Sequence, residues 1–267
     1  MVDAVAVEYV PLLRVQRDLY SLPRGMDRFR AYIATMVDAE SGDLALPLVA
    51  MNPMGRDHVP ALIDEYLRLD ADGLAGTVVR AASTGTLASA GTLSRAKVSL
   101  VVADDLKGGW TNRYCTEFTQ RFESRAMYRR GWLVGLLWTS ESPSAALAER
   151  EALAALYRGA HIARHGFAAT LGELLAQEGA AMRHAGWDSP TLDADDLAYT
   201  RHVIAPLAGA RDRATIMACI FGDEAATTLG YQPRGLSARA GLALALADAA
   251  FDDTSRPSVR GHASRES

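Results

Sequence analysis

The chain has 267 residues, a formal net charge of -4, 49% hydrophobic residues and 22% charged residues. This is the composition of a globular protein long enough to bury a sizeable core. It argues against a nucleic-acid binder, which carries a basic excess, and the lack of any run of about 18 apolar residues argues against a transmembrane helix. The two cysteines, Cys115 and Cys219, have no pairing by local spacing, and the first residues lack a basic segment followed by an apolar one. Both features predict a reducing, cytoplasmic setting.

Pro11 opens a short helix with Leu12, Val15 and Leu19 on one face, because a missing N–H costs nothing in the first helical turn. After a break over 21–25, Met26, Phe29, Ile33, Met36 and Val37 recur at helical spacing. The two helices are predicted to cover a sheet. The first predicted strand is 44–51, LALPLVAM, apolar on both faces as a strand between helical layers should be. Pro47 dissents, since it removes a ladder donor and favours an edge or a bulge. Val59, Leu62, Ile63, Tyr66 and Leu67 predict a helix, and the Ser-, Thr- and Gly-rich 83–94 a loop. The second strand is predicted over 98–103, VSLVVA. A short helix follows with Tyr114, Phe118 and Phe122 on one face, then a third strand over 132–138, WLVGLLW.

Strand, helix, strand, helix, strand in alternation predicts parallel pairing with right-handed crossovers. From Ser142 the pattern is all helical. Ser142-Pro143 and the capping box Thr170-x-x-Glu173 mark helix starts, as do Thr191 or Asp193 and Asp212, and Gly166 and Gly186 mark stops. The acidic cluster Asp193, Asp195, Asp196 is explained by the positive end of a helix. The expected fold is α/β, a small, mostly parallel sheet of three or more strands flanked by helices, with an all-helical C-terminal half. The expected organisation is one domain over 1–251, with the helical layer at 142–251. Residues 252–267, poor in large apolar groups, are expected to form a disordered tail.

Each predicted strand runs into a polar segment: Asn52 to His58, Asp104 to Arg113, and Thr139 to Ser142. Parallel strands would bring these segments to one rim, where open α/β sheets bind their ligands. The second segment carries most of the signal, with two carboxylates, Lys107, Trp110, Asn112 and Arg113 around the Gly108-Gly109 pair, whose backbone amides can approach a ligand closely. Thr139 to Ser142 is read as helix capping. No P-loop, dinucleotide fingerprint or nucleophile elbow is present. The candidate catalytic residues are Asp104, Asp105 and His58, a carboxylate–imidazole set suited to proton transfer. Asn52, Lys107, Trp110, Asn112 and Arg113 are the candidate substrate-binding residues. The plainer alternative is that these loops are polar because their backbone needs solvent or caps, with the carboxylates ion-paired to Lys107 and Arg113.

His161 and His165 lie at i and i+4 on one helix, the geometry of a metal pair. Ile162 stands where a zinc-protease motif needs Glu, and Arg158 and Arg164 add positive charge, so a metal is not favoured and no cofactor is expected. Glu151, Glu173 and Glu178 are the candidate third ligands. Arg24 and Arg28 share a face that would either clamp an anion or simply face solvent. Cys115 reads as a small buried hydrophobe.

The expected function is acid–base chemistry of the hydrolase or lyase type on a small polar or anionic substrate, with neither nucleic acid nor membrane as partner. The alternatives are a non-catalytic binding subunit that uses an Ala/Leu-rich helical face to form a homodimer or to hold a partner protein, and a metalloenzyme centred on His161 and His165.

Overall fold

The computed structural model describes residues 6–85, 87, 93, 95–106 and 111–255, with backbone alone at 6 and 251–255. Three strands, β1 (Ala6–Tyr9), β2 (Arg95–Ala103) and β3 (Trp132–Trp138), form one parallel sheet in the order β1-β2-β3. The register pairs Ala6 with Arg95 and Lys97 with Trp132. Four helices separate β1 from β2: α1 (Leu13–Ser21), α2 (Met26–Met36), α3 (His58–Arg68) and α4 (Ala71–Thr84). Helices α5 (Arg113–Phe122) and α6 (Arg125–Arg129) lead into β3. The elements described after β3 are helices: α7 (Ala145–His165), α8 (Leu171–His184), α9 (Ala194–Ile204), α10 (Arg213–Phe221), α11 (Asp223–Thr228) and α12 (Ala240–Ser255). This is the predicted α/β class with a parallel sheet. None of the described helices is long and apolar enough to cross a membrane.

The segment 44–51 is not a strand, which corrects the sequence reading. Its backbone turns on itself, with the Leu48 and Met51 N–H groups donating to Leu46 and Leu48, and the Ala45 N–H donating to Met36 at the end of α2. The residues are apolar because Leu48, Ala50 and Met51 are buried in the core, not because they join a ladder. Pro47, which offers no N–H, fits this irregular path. The first strand is instead the four-residue β1, too short to show a period in sequence.

The brevity of β1 leaves part of β2 without a strand partner, and a side chain takes over. Gln16 on α1 has no exposed surface. Its carboxamide NH2 donates to the Val102 carbonyl at 3.1 Å, and its oxygen accepts the Val102 N–H at 2.9 Å. One amide thus completes the ladder where the neighbouring strand has ended, as buried backbone groups require.

Two apolar clusters fill the interior. One lies around the sheet and includes Ala148, Ala152, Ala155 and Leu156 of α7. The other is built from α8 to α12 and takes Phe118 from α5. The division therefore does not follow chain order, since α7 belongs with the sheet and α5 reaches into the helical layer. The small residues of α7 let it approach β3 closely. A Cβ on Gly135 would lie 2.8 Å from the Glu151 carbonyl oxygen of α7 and 2.9 Å from Leu100. Residues 256–267, most of the predicted tail, lie outside the described residues, and α12 runs to Ser255.

Two variants test this packing in urea unfolding. Gln16→Leu orphans both polar groups of Val102, at about 1–3 kcal/mol for each. Gly135→Ala forces β3 from α7 and is expected to lose about 1–3 kcal/mol. An unchanged unfolding midpoint for Gln16→Leu would refute the ladder role.

Candidate active site at the ends of the strands

Strand β2 ends at Ala103, and Asp104 and Asp105 follow at the carboxyl edge of the sheet. Their side chains diverge, as strand alternation predicts. Asp104 is 1% exposed. Its Oδ1 lies 2.8 Å from His58 Nε2, and its Oδ2 accepts from Asn52 Nδ2 at 2.9 Å. The Thr139 hydroxyl (3.1 Å) and the Leu106 N–H (3.3 Å) also approach Oδ1. Burial pushes the Asp104 carboxyl upward, but the hydrogen bonds from His58 and Asn52 and the attraction of His58 outweigh it, leaving it below the ordinary carboxylate value.

The approach of Asn52 and His58 to the strand end is built by the loop between α2 and α3. His58 is the first residue of α3. The Asn52 carbonyl accepts from the Tyr20 hydroxyl at 2.5 Å and from the Gly55 N–H at 2.9 Å, while its side-chain oxygen accepts the Met54 N–H at 3.0 Å. Arg28 closes the loop from behind, donating to the Leu22 and Gly55 carbonyls and lying over the Tyr20 ring at 5.3 Å. This buried role replaces both the anion clamp and the solvated face as a reading of Arg28. Gly55 is required by close approach, because a Cβ there would lie 2.8 Å from Val59 and 3.0 Å from the Tyr20 hydroxyl.

Asp105 faces the other way. Its carboxylate accepts from the Ser140 hydroxyl at 2.6 Å, the Ser140 N–H at 2.9 Å and Arg113 Nη1 at 3.1 Å. Thr139 Oγ1 is shared, lying 3.0 Å from Asp105 Oδ1 and 3.1 Å from Asp104 Oδ1 while accepting the Asp105 N–H. The expectation that Thr139 to Ser142 serve as helix caps is thus corrected. Ser144, two residues further on, caps α7, and Thr139 and Ser140 bind the two carboxylates. Their position at the end of β3 was the signal that could have found them.

Several candidate binding residues have structural duties. Asn112 caps α5 by accepting the Cys115 N–H at 3.0 Å. Arg113 donates from its two terminal nitrogens to Asp105, Ser140 and Glu141 and stacks over Trp138 at 5.0 Å, so those nitrogens are committed within the protein. Lys107 and Trp110 lie outside the described residues.

Beyond Arg113 the charges continue into the interior. Arg113 Nε lies 3.7 Å from Glu117, which receives both terminal nitrogens of Arg239 at 2.8 and 2.9 Å and Arg121 at 2.8 Å. Arg121 also reaches Glu178 at 2.5 Å, and Arg158 holds Glu178 through two bonds at 2.6 and 3.0 Å. Burial opposes ionisation of Glu117 and Glu178, yet the surrounding guanidinium groups prevail and bring both down to about 2. Glu151 beside them behaves oppositely. It keeps some accessible surface as a residue, but its carboxyl is crowded by protein, and this burial raises it to about 7 against the pull of Arg121 and Arg158.

The rings of His161 and His165 lie 4.5 Å apart. Among the described residues no group of three His, Cys, Asp or Glu side chains could hold a metal ion. Glu173 is occupied by its capping box and Glu178 by its arginines. Among the described residues, then, the histidine pair has no third ligand of these types.

No family model, curated protein or solved structure matches the chain. The case for function rests on the geometry of the strand ends.

The low values of Glu117 and Glu178 set the acid limb of stability. Their contribution is fully present above the ordinary carboxylate range, about pH 4–5, and is lost as pH falls through about 2. Glu117→Gln leaves Arg113, Arg121 and Arg239 around a neutral amide and is expected to cost about 3–5 kcal/mol at pH 7. The loss should shrink as the solution is acidified, which unfolding curves between pH 7 and pH 2 would show.

Proposed function

We propose that the chain is an enzyme that acts on a small polar substrate by acid–base chemistry, of the hydrolase or lyase type. His58 is its proton-transfer group and Asp104 its orienting carboxylate. The observation that carries this reading is the 2.8 Å contact between His58 Nε2 and a fully buried Asp104 at the carboxyl end of the central strand. Of the candidate catalytic residues Asp104, Asp105 and His58, the imidazole is the base and neither carboxylate is. A carboxylate below its ordinary value, surrounded by donors, is a poor proton acceptor. An imidazole beside it is a good one.

With Asp104 ionised, the neutral imidazole keeps its proton on Nε2 and directs it at Oδ1, which leaves the Nδ1 lone pair as the base. Nδ1 makes no hydrogen bond among the described residues. The His58 side chain retains 20% exposure, so it is reachable from solvent. In hydrolysis, Nδ1 takes a proton from water as the oxygen adds to the electrophilic centre. In elimination, it takes the proton from the substrate carbon. In either case the imidazolium formed is held by Asp104 and returns its proton to the leaving group. Asn52 and Thr139 keep the Asp104 carboxylate aimed at the ring. The exposed Leu106 side chain, whose N–H approaches the same carboxylate, offers an apolar wall at the rim.

The test is a turnover screen against small esters, hydroxy acids and phosphorylated hydroxy compounds, run with the native chain and two folded variants. His58→Ala is expected to lower the rate by about 10²–10⁴-fold, and Asp104→Asn to lower it as well, because the amide no longer holds the imidazolium. Turnover that survives in His58→Ala, or a complete lack of turnover across the panel, would overturn the proposal.

A further inference from the structure

At the opposite end of the strands lies a second feature. A cleft of about 800 Å³ opens beside the first residues of β2 and the turn that enters β3. Its volume falls within the range of small-molecule sites. Arg95 and Asp104 are separated by nine residues of extended chain, which at 3.3 Å per residue puts the cleft about 30 Å from the His58–Asp104 pair.

The lining of the cleft is unusual for an acidic protein. Among the described residues, Arg95, Lys97, Arg129 and Arg130 border it, with Glu8 as the one carboxylate. Arg130 is committed to Asp43 at 2.5 Å. Arg95, Lys97 and Arg129 make no ion pair among the described residues. Three cations without an ion pair among the described residues, gathered in one concavity, raise the local concentration of anions through a focused potential. Tyr128 and Phe167 form the other wall, in edge contact at 5.2 Å, and the Arg125 guanidinium sits over the Phe167 ring at 4.8 Å. Lys97 lies 5.0 Å from the Trp132 ring. Phosphate-binding sites use arginine for its forked donors, and flat ligands use aromatic faces. Both elements are present here within a single cleft.

We infer that this cleft is a binding site for a phosphorylated ligand with a planar ring, of mononucleotide size. Arg95 and Arg129 hold the anionic group, and Tyr128 and Phe167 receive the ring. The site is separate from the His58 rim, and either assignment stands without the other.

Calorimetric titration with adenosine 5′-monophosphate, inorganic phosphate and adenosine tests the inference. The monophosphate should bind saturably, more tightly than either half, and more weakly as sodium chloride is raised. The double variant Arg95→Ala, Arg129→Ala alters exposed side chains, so its fold is checked by circular dichroism. It should weaken monophosphate binding at least ten-fold. Phe167→Leu should weaken the monophosphate and leave phosphate unchanged, while His58→Ala should leave both unchanged. Lack of saturable monophosphate binding would overturn the inference, as would binding insensitive to the arginine pair, phosphate binding as tight as the whole nucleotide, or binding abolished by His58→Ala alone.

Discussion

Glu117 is a carboxylate with 3% exposure held by three guanidinium groups, and both halves of the molecule meet through it. From Glu117 the ion pairs run one way through Arg113 to Asp105 at the end of β2. They run the other way through Arg121 and Glu178 to Arg158 on α7. Arg239, at the entry to α12, closes the set from the helical layer. Removing ions from water is costly, and such a network exceeds an apolar replacement only when every charge is matched. Its value here is positional. Apolar surfaces can slide past each other, whereas forked contacts between guanidinium and carboxylate have one geometry. The two apolar clusters are therefore locked in a single relative placement, and α5, which carries Arg113, Glu117 and Arg121, is the element that enforces it.

The strand-end site inherits that rigidity. Asp105 is tied down by Arg113 and Ser140, and this fixes the backbone that presents Asp104. On the other side, Arg28, Tyr20 and Gly55 shape the loop that delivers Asn52 and starts α3 at His58. The Thr139 hydroxyl has one proton and lies within reach of both aspartates. It joins the hydrogen-bond set around His58 to the ion pairs of the interior, so the two are neighbours in one connected polar structure.

The parts of this architecture legible in sequence were those written locally. The runs 98–103 and 132–138 are apolar on both faces because helices cover them, and they became β2 and β3. The capping box at Thr170, the caps at Asp193 and Asp212 and the stop at Gly166 follow from chemistry within a few residues. The segment 44–51 misled because an apolar run reports burial and is silent on pairing. Helix α4 was passed over because Ala71–Thr84 is rich in Ala, Gly and Thr and carries a faint period. For the site, strand-end position singled out Asp104, whereas His58 entered through the predicted strand 44–51, which the chain does not form. The roles of Gln16 and Thr139 depend on partners 86 and 35 positions away, and the Arg239 arm of Glu117 on one 122 away, pairings that nothing local announces; Arg113 and Arg121 alone flank Glu117 at helical spacing.

The use of a glutamine in place of a strand has a consequence for how copies of this chain behave beside one another. A sheet edge with free N–H and C=O groups invites an extended segment from another molecule to pair with it, a first step toward aggregation. β1 shields the start of β2, but it is only four residues long. At Val102 the donor and the acceptor are both taken by Gln16, and the helix that carries it stands where an intruding strand would have to lie. The side chain that completes the ladder also withdraws that stretch of it from intermolecular pairing.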